Sequence, residues 1–251
     1  MQPREYPAKP KKVYFFGTCL VDSVFPGAGL AAIRMLRREG LTVIFPREQS
    51  CCGQPAYNAG FTDEARVVAR KQVRLFPEPV PIVVPSGSCA GMMRHHWPSL
   101  FEGDPLQAAV ADIAGRIFEW SEFMVHVLDL HPEDRGDPLT VSWHSSCHAR
   151  REMHVTEDSK DLIRRLKNVS LVELEREEEC CGFGGVFSIK QPDLSGAMVR
   201  DKVDDIVRTG APRVIMGDCG CMMNVAGAME RRDIRVKCQH IAEFLWERTH
   251  V

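Results

Sequence analysis

The sequence predicts an α/β fold built as two pseudo-symmetric domains from an internal duplication, each a small, mainly parallel sheet flanked by helices. Three observations predict it. Short apolar runs alternate with amphipathic stretches, the pattern of strand and helix in succession. Landmarks of the first half recur in the second at offsets of 128 to 132 residues. Cysteines fall just after the apolar runs, where open α/β sheets carry their sites.

The runs "VYFF", "LTVIF" and "PIVVP" of the first half are continuous and β-branched or aromatic, as buried parallel strands are. Between them, "GAGLAAIRMLRREG" and "TDEARVVARKQVRLF" have helical periodicity, the first closed by Gly40. The second half repeats the alternation with "LTVSW", "SLVEL" and "RVIM", separated by "EDSKDLIRRLKN" and "LSGAMVRDKVDDIVRTG".

The duplication is read from four pairs of segments. "KKVYFFGTC" ends at Cys19 and "PLTVSWHSSC" at Cys147. "QSCCGQPAYNAG" carries Cys51 and Cys52, and "EECCGFGGVFSI" carries Cys180 and Cys181. "PIVVPSGSCAGMM" places Cys89 where "PRVIMGDCGCMMN" places Cys221, and "EWSEFMVHVL" resembles "QHIAEFLWER". Two copies imply two equivalent domains rather than a solenoid. Their expected extents are 12–131 and 138–248, with the Pro- and Asp-rich "HPEDRGDP" as the linker.

A chain of 251 residues with 44% apolar and 26% charged residues can bury two small cores. Its net charge of -2 offers no electrostatic reason to bind nucleic acid. The segment "MQPREYPAKPKKVYFFG" lacks the apolar core and small-residue cleavage site of a secretory signal. No stretch approaches the roughly 18 apolar residues of a membrane span. A cytoplasmic location is expected. In that reducing compartment the ten cysteines stand for metal ligation, redox chemistry or buried thiols rather than a disulfide framework.

The spacing of the cysteines favours the first two. Copy one supplies Cys19, Cys51, Cys52 and Cys89; copy two supplies Cys147, Cys180, Cys181, Cys221 and an additional Cys219. Four sulfurs per domain suffice for a tetrahedral zinc or an iron–sulfur cluster. Zinc usually takes short C-x2–4-C knuckles, which neither copy repeats, and adjacent cysteines suit a multi-iron cluster better. The glycines after each pair let backbone pass close to an inorganic core. The tract "ELEREEEC" reads as a solvated acidic face. "GAGLAA" is too weak for a nucleotide loop, so no flavin or nicotinamide site is expected.

These motifs resemble the CCG (cysteine-rich domain) family, whose pattern is Cys, about thirty residues, Cys-Cys-Gly, about thirty-five residues, then Cys-x-x-Cys. Within it, "QSCCGQPAYNAG", "VPSGSCAGMMRHHWP", "CCGFGGVFSIKQPDLSGAMV" and "HIAEFL" are similar to the lactate-utilisation branch, over about residues 12–248. Relatives include the iron–sulfur subunit of glycolate oxidase and the B subunit of heterodisulfide reductase. The resemblance departs at the last motif, where Met92 and Asn224 replace the final cysteine. It therefore implies four-cysteine [4Fe–4S] clusters, one per domain, with zinc as an adventitious substitute. Cys221 is favoured over Cys219 as the last ligand.

The resemblance further implies the iron–sulfur subunit of an L-lactate-oxidising complex, working with a ferredoxin-like iron–sulfur protein and a third small subunit. With no evident base for a hydroxy acid, the chain is not expected to be a complete dehydrogenase. The alternatives are a heterodisulfide or thiol–disulfide reductase, and a zinc-stabilised scaffold without redox role. Only copy two has histidines around its first cysteine. His144 reads as a polar residue satisfied by backbone, and His148 as a donor to a sulfur or a proton relay. Cys181 and His148 are the candidate catalytic residues. The adjacent His95 and His96 face different ways and are not expected to share a metal.

Overall fold

Eight short strands make two four-stranded sheets, one per half, and every pairing is parallel. The computed structural model describes residues 4–250. The first half contributes β1 (Lys12–Phe15), β2 (Thr42–Ile44), β3 (Ile82–Val84) and β4 (Ile117–Glu119). The second contributes β5 (Leu139–His144), β6 (Val169–Val172), β7 (Arg213–Met216) and β8 (Lys237–His240). The orders β2-β1-β3-β4 and β6-β5-β7-β8 are the same winding twice. Val13, Phe15, Val83, Val141, Val214 and Ile215 are fully buried, as central strands covered on both faces must be.

The edge strands β4 and β8 were not among the expected ones. "IFE" and "KCQH" are too short and too mixed in polarity to stand out. They open into the repeated end segments, so the helices Trp120–His126 and Ile241–Thr249 follow them directly. Each of these helices crosses to the other half. Trp120–His126 packs on Thr156–Arg164, where Ser159 Oγ donates to Ser121 Oγ at 2.9 Å. Ile241–Thr249 packs on Pro26–Arg38 in the same way. One core therefore takes Phe15, Leu36 and Phe123 from the first half with Trp143, Leu162 and Phe244 from the second. Burying each such side chain stabilises the fold by about 1.5–3 kcal/mol relative to leaving it in water.

The 131–138 connection is anchored to this packing. Asp134 accepts from Arg248 Nε at 2.8 Å, and the Arg135 N–H donates to the Arg248 carbonyl at 2.8 Å. The opposite face of each sheet has its own smaller core. One holds Cys52 and Cys89, and the other Cys181, Cys219 and Cys221. Among the described residues no helix is long and apolar enough to cross a membrane.

Candidate metal centres

In each sheet the strand order reverses beside the first strand, and loops that leave there open a crevice at the carboxyl ends of the strands. All three cysteine loops of each half leave from that edge. They meet in one cleft of about 100 Å³, lined from one side by Cys19, Cys51, Cys52 and Cys89. The other side presents Cys147, Cys180, Cys181, Cys219 and Cys221. The two sets of thiols thus face a common space. Cys238 lies apart, 3.7 Å from Met229 Sδ.

Within each half four thiols form a continuous chain of contacts. Cys19 and Cys52 both lie beside Cys51, and Cys52 Sγ is 3.4 Å from Cys89 Sγ. The second half repeats this with Cys147, Cys180, Cys181 and Cys221. Among the described residues Cys219 has no such thiol contact. It is buried in the cleft near both Cys89 and Cys221, and burial pushes its thiol up.

The glycine of each Cys-Cys-Gly has a definite task. Gly53 and Gly182 have φ of 92° and 79°, a region side chains rarely adopt. That turn aims the Gly53 N–H at Cys51 Sγ, at 3.4 Å, and the Gly182 N–H at Cys180 Sγ, at 3.3 Å. A hydrogen bond to a thiolate favours the charged form. Hydrogen bonds from Cys19 and Cys52, aided by this N–H, hold Cys51 down at about 3. Those from Cys147 and Cys181 hold Cys180 at about 2. The donating thiols are correspondingly raised: Cys19 and Cys147 by their bonds to Cys51 and Cys180, Cys52 and Cys181 likewise. Each half therefore gathers soft donors around one ready thiolate, a set suited to zinc or iron.

Caps position the third-cysteine loops. Ser86 accepts from the Cys89 N–H at 3.4 Å, and Asp218, its equivalent in the repeat, accepts from the Gly220 N–H at 3.1 Å. The caps are also bonded to each other. Ser86 Oγ and the Ser88 N–H both donate to Asp218 Oδ2 at 3.0 Å, tying the two sites together. The first cysteine of copy one follows Thr18, whose φ of 53° is strained for a residue with a side chain. Thr18 accepts from the Val21 N–H and so starts the helix at Cys19.

The histidines separate. His148 Nδ1 is 3.4 Å from Cys147 Sγ, and its Nε2 is 3.8 Å from Glu152. The same Glu152 Oε1 is 3.1 Å from His96 Nε2, which joins the first half to this line of polar groups. His144 does not behave as expected. It is 1% exposed, and neither ring nitrogen has a hydrogen-bond partner among the described residues. The reason is its place at the end of β5, where its ring turns towards Cys181 and Cys221 rather than towards backbone. Burial, with Lys202 nearby, lowers its pKa to about 4, so the ring is neutral.

Met92 and Asn224, which stand where the family pattern has cysteine, are structural here. Met92 is fully buried, and Asn224 Nδ2 donates to the Cys181 carbonyl at 2.8 Å. Trp97 Nε1 does the equivalent for the Cys52 carbonyl at 2.9 Å. The acidic tract is largely the solvated face expected, with Glu173, Glu175, Glu178 and Glu179 exposed, but it also serves an ion pair. Glu177 and Glu173 close on the buried Lys160 Nζ at 2.6 and 2.7 Å, because a buried ammonium needs carboxylates around it. Glu152, Asp218 and Ser86 were missed in the sequence. The caps were legible as Ser and Asp directly before "GSC" and "CGC".

The CCG family, described as a cysteine-rich domain, matches the chain twice, over residues 13–94 and 141–226. "Lactate utilization protein A" of Bacillus pumilus is 40% identical over 237 residues, which cover 93% of this chain and 98% of that protein. The protein of the same name from Bacillus velezensis is 42% identical, with 93% of this chain and 98% of that one covered. A solved structure, a hypothetical protein from Helicobacter pylori, superposes with a TM-score of 0.68 at 10% identity. It covers 98% of this chain, while the chain spans 52% of that protein, and it supports the fold alone.

Proposed function

The chain belongs to the CCG cysteine-rich domain family, and from that premise we propose that it is the electron-carrying iron–sulfur subunit of a lactate-oxidising system. The observation that carries the reading is the pair of equivalent thiol quartets facing one cleft. Cys19, Cys51, Cys52 and Cys89 would hold one [4Fe–4S] cluster, and Cys147, Cys180, Cys181 and Cys221 the other. Such a cluster stores and passes single electrons, so two of them match the two electrons that leave lactate as it becomes pyruvate.

The chain's own groups set the conditions. The Gly53 and Gly182 N–H groups stabilise negative charge on sulfur. His148, between Cys147 and Glu152, is placed to hold a proton at the cleft wall. Two protons also leave lactate, and the His148–Glu152–His96 line leads away from the cleft. The partners would be a ferredoxin-like iron–sulfur protein and a third small subunit, in the cytoplasm. The relatives' name supports the lactate assignment.

A second reading has one observation in its favour. Two thiolates on a single tetrahedral ion with bonds of about 2.3 Å sit about 3.8 Å apart. The 3.4 Å between Cys52 and Cys89 is of that size, as in a zinc site. Iron, sulfide and zinc analysis of anaerobically purified protein, with its electron paramagnetic resonance spectrum, decides between them. Iron and sulfide at both quartets, reduced by lactate once the partners are added, is the expected result. Stoichiometric zinc that no anaerobic reconstitution replaces with iron would overturn it.

A further inference from the structure

The two sites are alike in their thiols but not at the strand end beneath them. Phe16 in the first half and His144 in the second occupy the same place, one residue beyond Phe15 and Trp143, which pair with Val83 and Ile215 in equivalent registers. Both side chains are buried, at 0% and 1% exposure. The fold therefore accepts a plain aromatic ring at this position, and packing alone does not call for imidazole.

Imidazole at this position carries a penalty. Both ring nitrogens of His144 are buried without a hydrogen-bond partner among the described residues. A buried polar group left unsatisfied costs about 1–3 kcal/mol. Something at this position must offset that loss, and the neighbours indicate what. One ring nitrogen of His144 and the sulfurs of Cys181 and Cys221 lie within 4.8 Å of one another, all three residues buried. Metal bonds of about 2.0–2.1 Å to nitrogen and 2.3 Å to sulfur bridge such a group after small side-chain rotations. The first half offers no counterpart, since phenylalanine has no donor.

We propose that His144 is a metal ligand of the second site, coordinating through one ring nitrogen the metal held by Cys181 and Cys221. The inference rests on the reading that the thiol quartets hold metal, and it adds that the two sites hold it differently. The first is an all-sulfur site, and the second has a mixed nitrogen–sulfur set.

The test uses cobalt(II), which reports its ligands whether or not the chain carries iron. Metal-free protein labelled with ¹⁵N-histidine is loaded anaerobically with cobalt(II) in a His148→Ala background, so that the other histidine of the cleft cannot contribute. Pulsed electron paramagnetic resonance should show directly bonded nitrogen on one of two bound ions. His144→Phe, which copies the first half, should abolish that coupling, and Phe16→His should leave it in place. His144→Cys should keep the ion while losing the nitrogen signal and shifting the visible bands towards those of the first site. Two bound ions with no nitrogen coupling in the labelled protein would overturn the His144 assignment alone. That outcome needs no variant at position 144 to fold. No bound cobalt at either quartet would overturn the metal reading as a whole.

Discussion

The two halves hold their thiols in the same way and surround them differently. In both, a left-handed glycine aims its N–H at the first sulfur of the vicinal pair, and in both that thiol is the depressed one. The neighbours diverge: Phe16 against His144, Gly87 against Cys219, Met92 against Asn224. Gly87 has no room for more, since a Cβ there would sit 2.4 Å from Ala149 Cβ. Duplication thus preserved the donor frame and left the wall of the cleft free to specialise. The sites can be compared residue by residue because the frame is constant.

The largest effect expected from breaking this comparison is loss of a ligand. Cys52→Ser and Cys181→Ser should each lower bound metal by about half, emptying their own site and sparing the other. If the second half carries the chemistry, Cys181→Ser abolishes lactate-linked electron flow in the assembled system, and His148→Ala lowers it about 10–100-fold, the usual scale for a group that supports a ligand. Cys52→Ser should act mainly through the stability of the first site. Metal content and electron-transfer rate measured side by side check this. Full rate in His148→Ala, with no rate in a well-folded Cys52→Ser, would reverse the roles.

Asp218 tests how independent the halves are. It accepts from Ser86 and Ser88 of the first half and from Gly220 of the second. Asp218→Ala strands these donors, at about 1–3 kcal/mol for each that stays buried and unsatisfied. Metal affinity should therefore fall at both sites. A loss confined to the second site would show that the shared cap is not a mechanical link.

The glycines give a smaller and graded effect. A Cβ on Gly182 would lie 2.8 Å from the Ser195 carbonyl oxygen, whereas on Gly53 the nearest atom, the Ala65 carbonyl oxygen, is at 3.1 Å. Both substitutions force a side chain into a left-handed conformation, at about 1–3 kcal/mol. Gly182→Ala should lower the thermal midpoint more than Gly53→Ala. Equal shifts would mean that backbone strain alone sets the cost and that the neighbouring carbonyl yields.

How much of this was legible in the sequence follows from distance along the chain. Strands such as "VYFF" and "RVIM" announce themselves locally because a strand covered on both faces is apolar throughout. The thiol quartets were legible because their spacing occurs twice. The exchange of end helices was not, although the repeat of "EWSEFMVHVL" in "QHIAEFLWER" was visible: a repeat says that two segments are alike, not what they pack against. His144 is the clearest loss. Its neighbours Cys181 and Cys221 are brought to it by β6 and β7 loops, and nothing local distinguishes it from a histidine satisfied by backbone. Lys160 likewise hides its role, since the carboxylates that enclose it follow a different strand.

The smallest expected effect sharpens the comparison far from the thiols. Glu119 and His240 cap equivalent helices, the ones that cross between halves. Glu119 accepts from the N–H groups of Ser121 and Glu122, and His240 Nδ1 accepts from the Ala242 N–H. Both are fully buried, and burial drives them in opposite directions. It raises Glu119 to about 8, outweighing its two N–H donors, and lowers His240 to about 4. The fold thus prefers both groups uncharged. For Glu119 the stabilisation is fully present below the unfolded value of about 4.3 and is lost as pH rises towards about 8. For His240 it is fully present above about 6.5 and is lost as pH falls towards about 4. The first half therefore limits stability on the alkaline side and the second on the acid side. Glu119→Gln and His240→Asn keep an acceptor at each cap and remove the titration. Denaturant unfolding of metal-free protein across this range should show a flattened alkaline limb in the first variant and a flattened acid limb in the second. A wild-type slope on both limbs in either variant would mean that its cap opens to water before the group ionises.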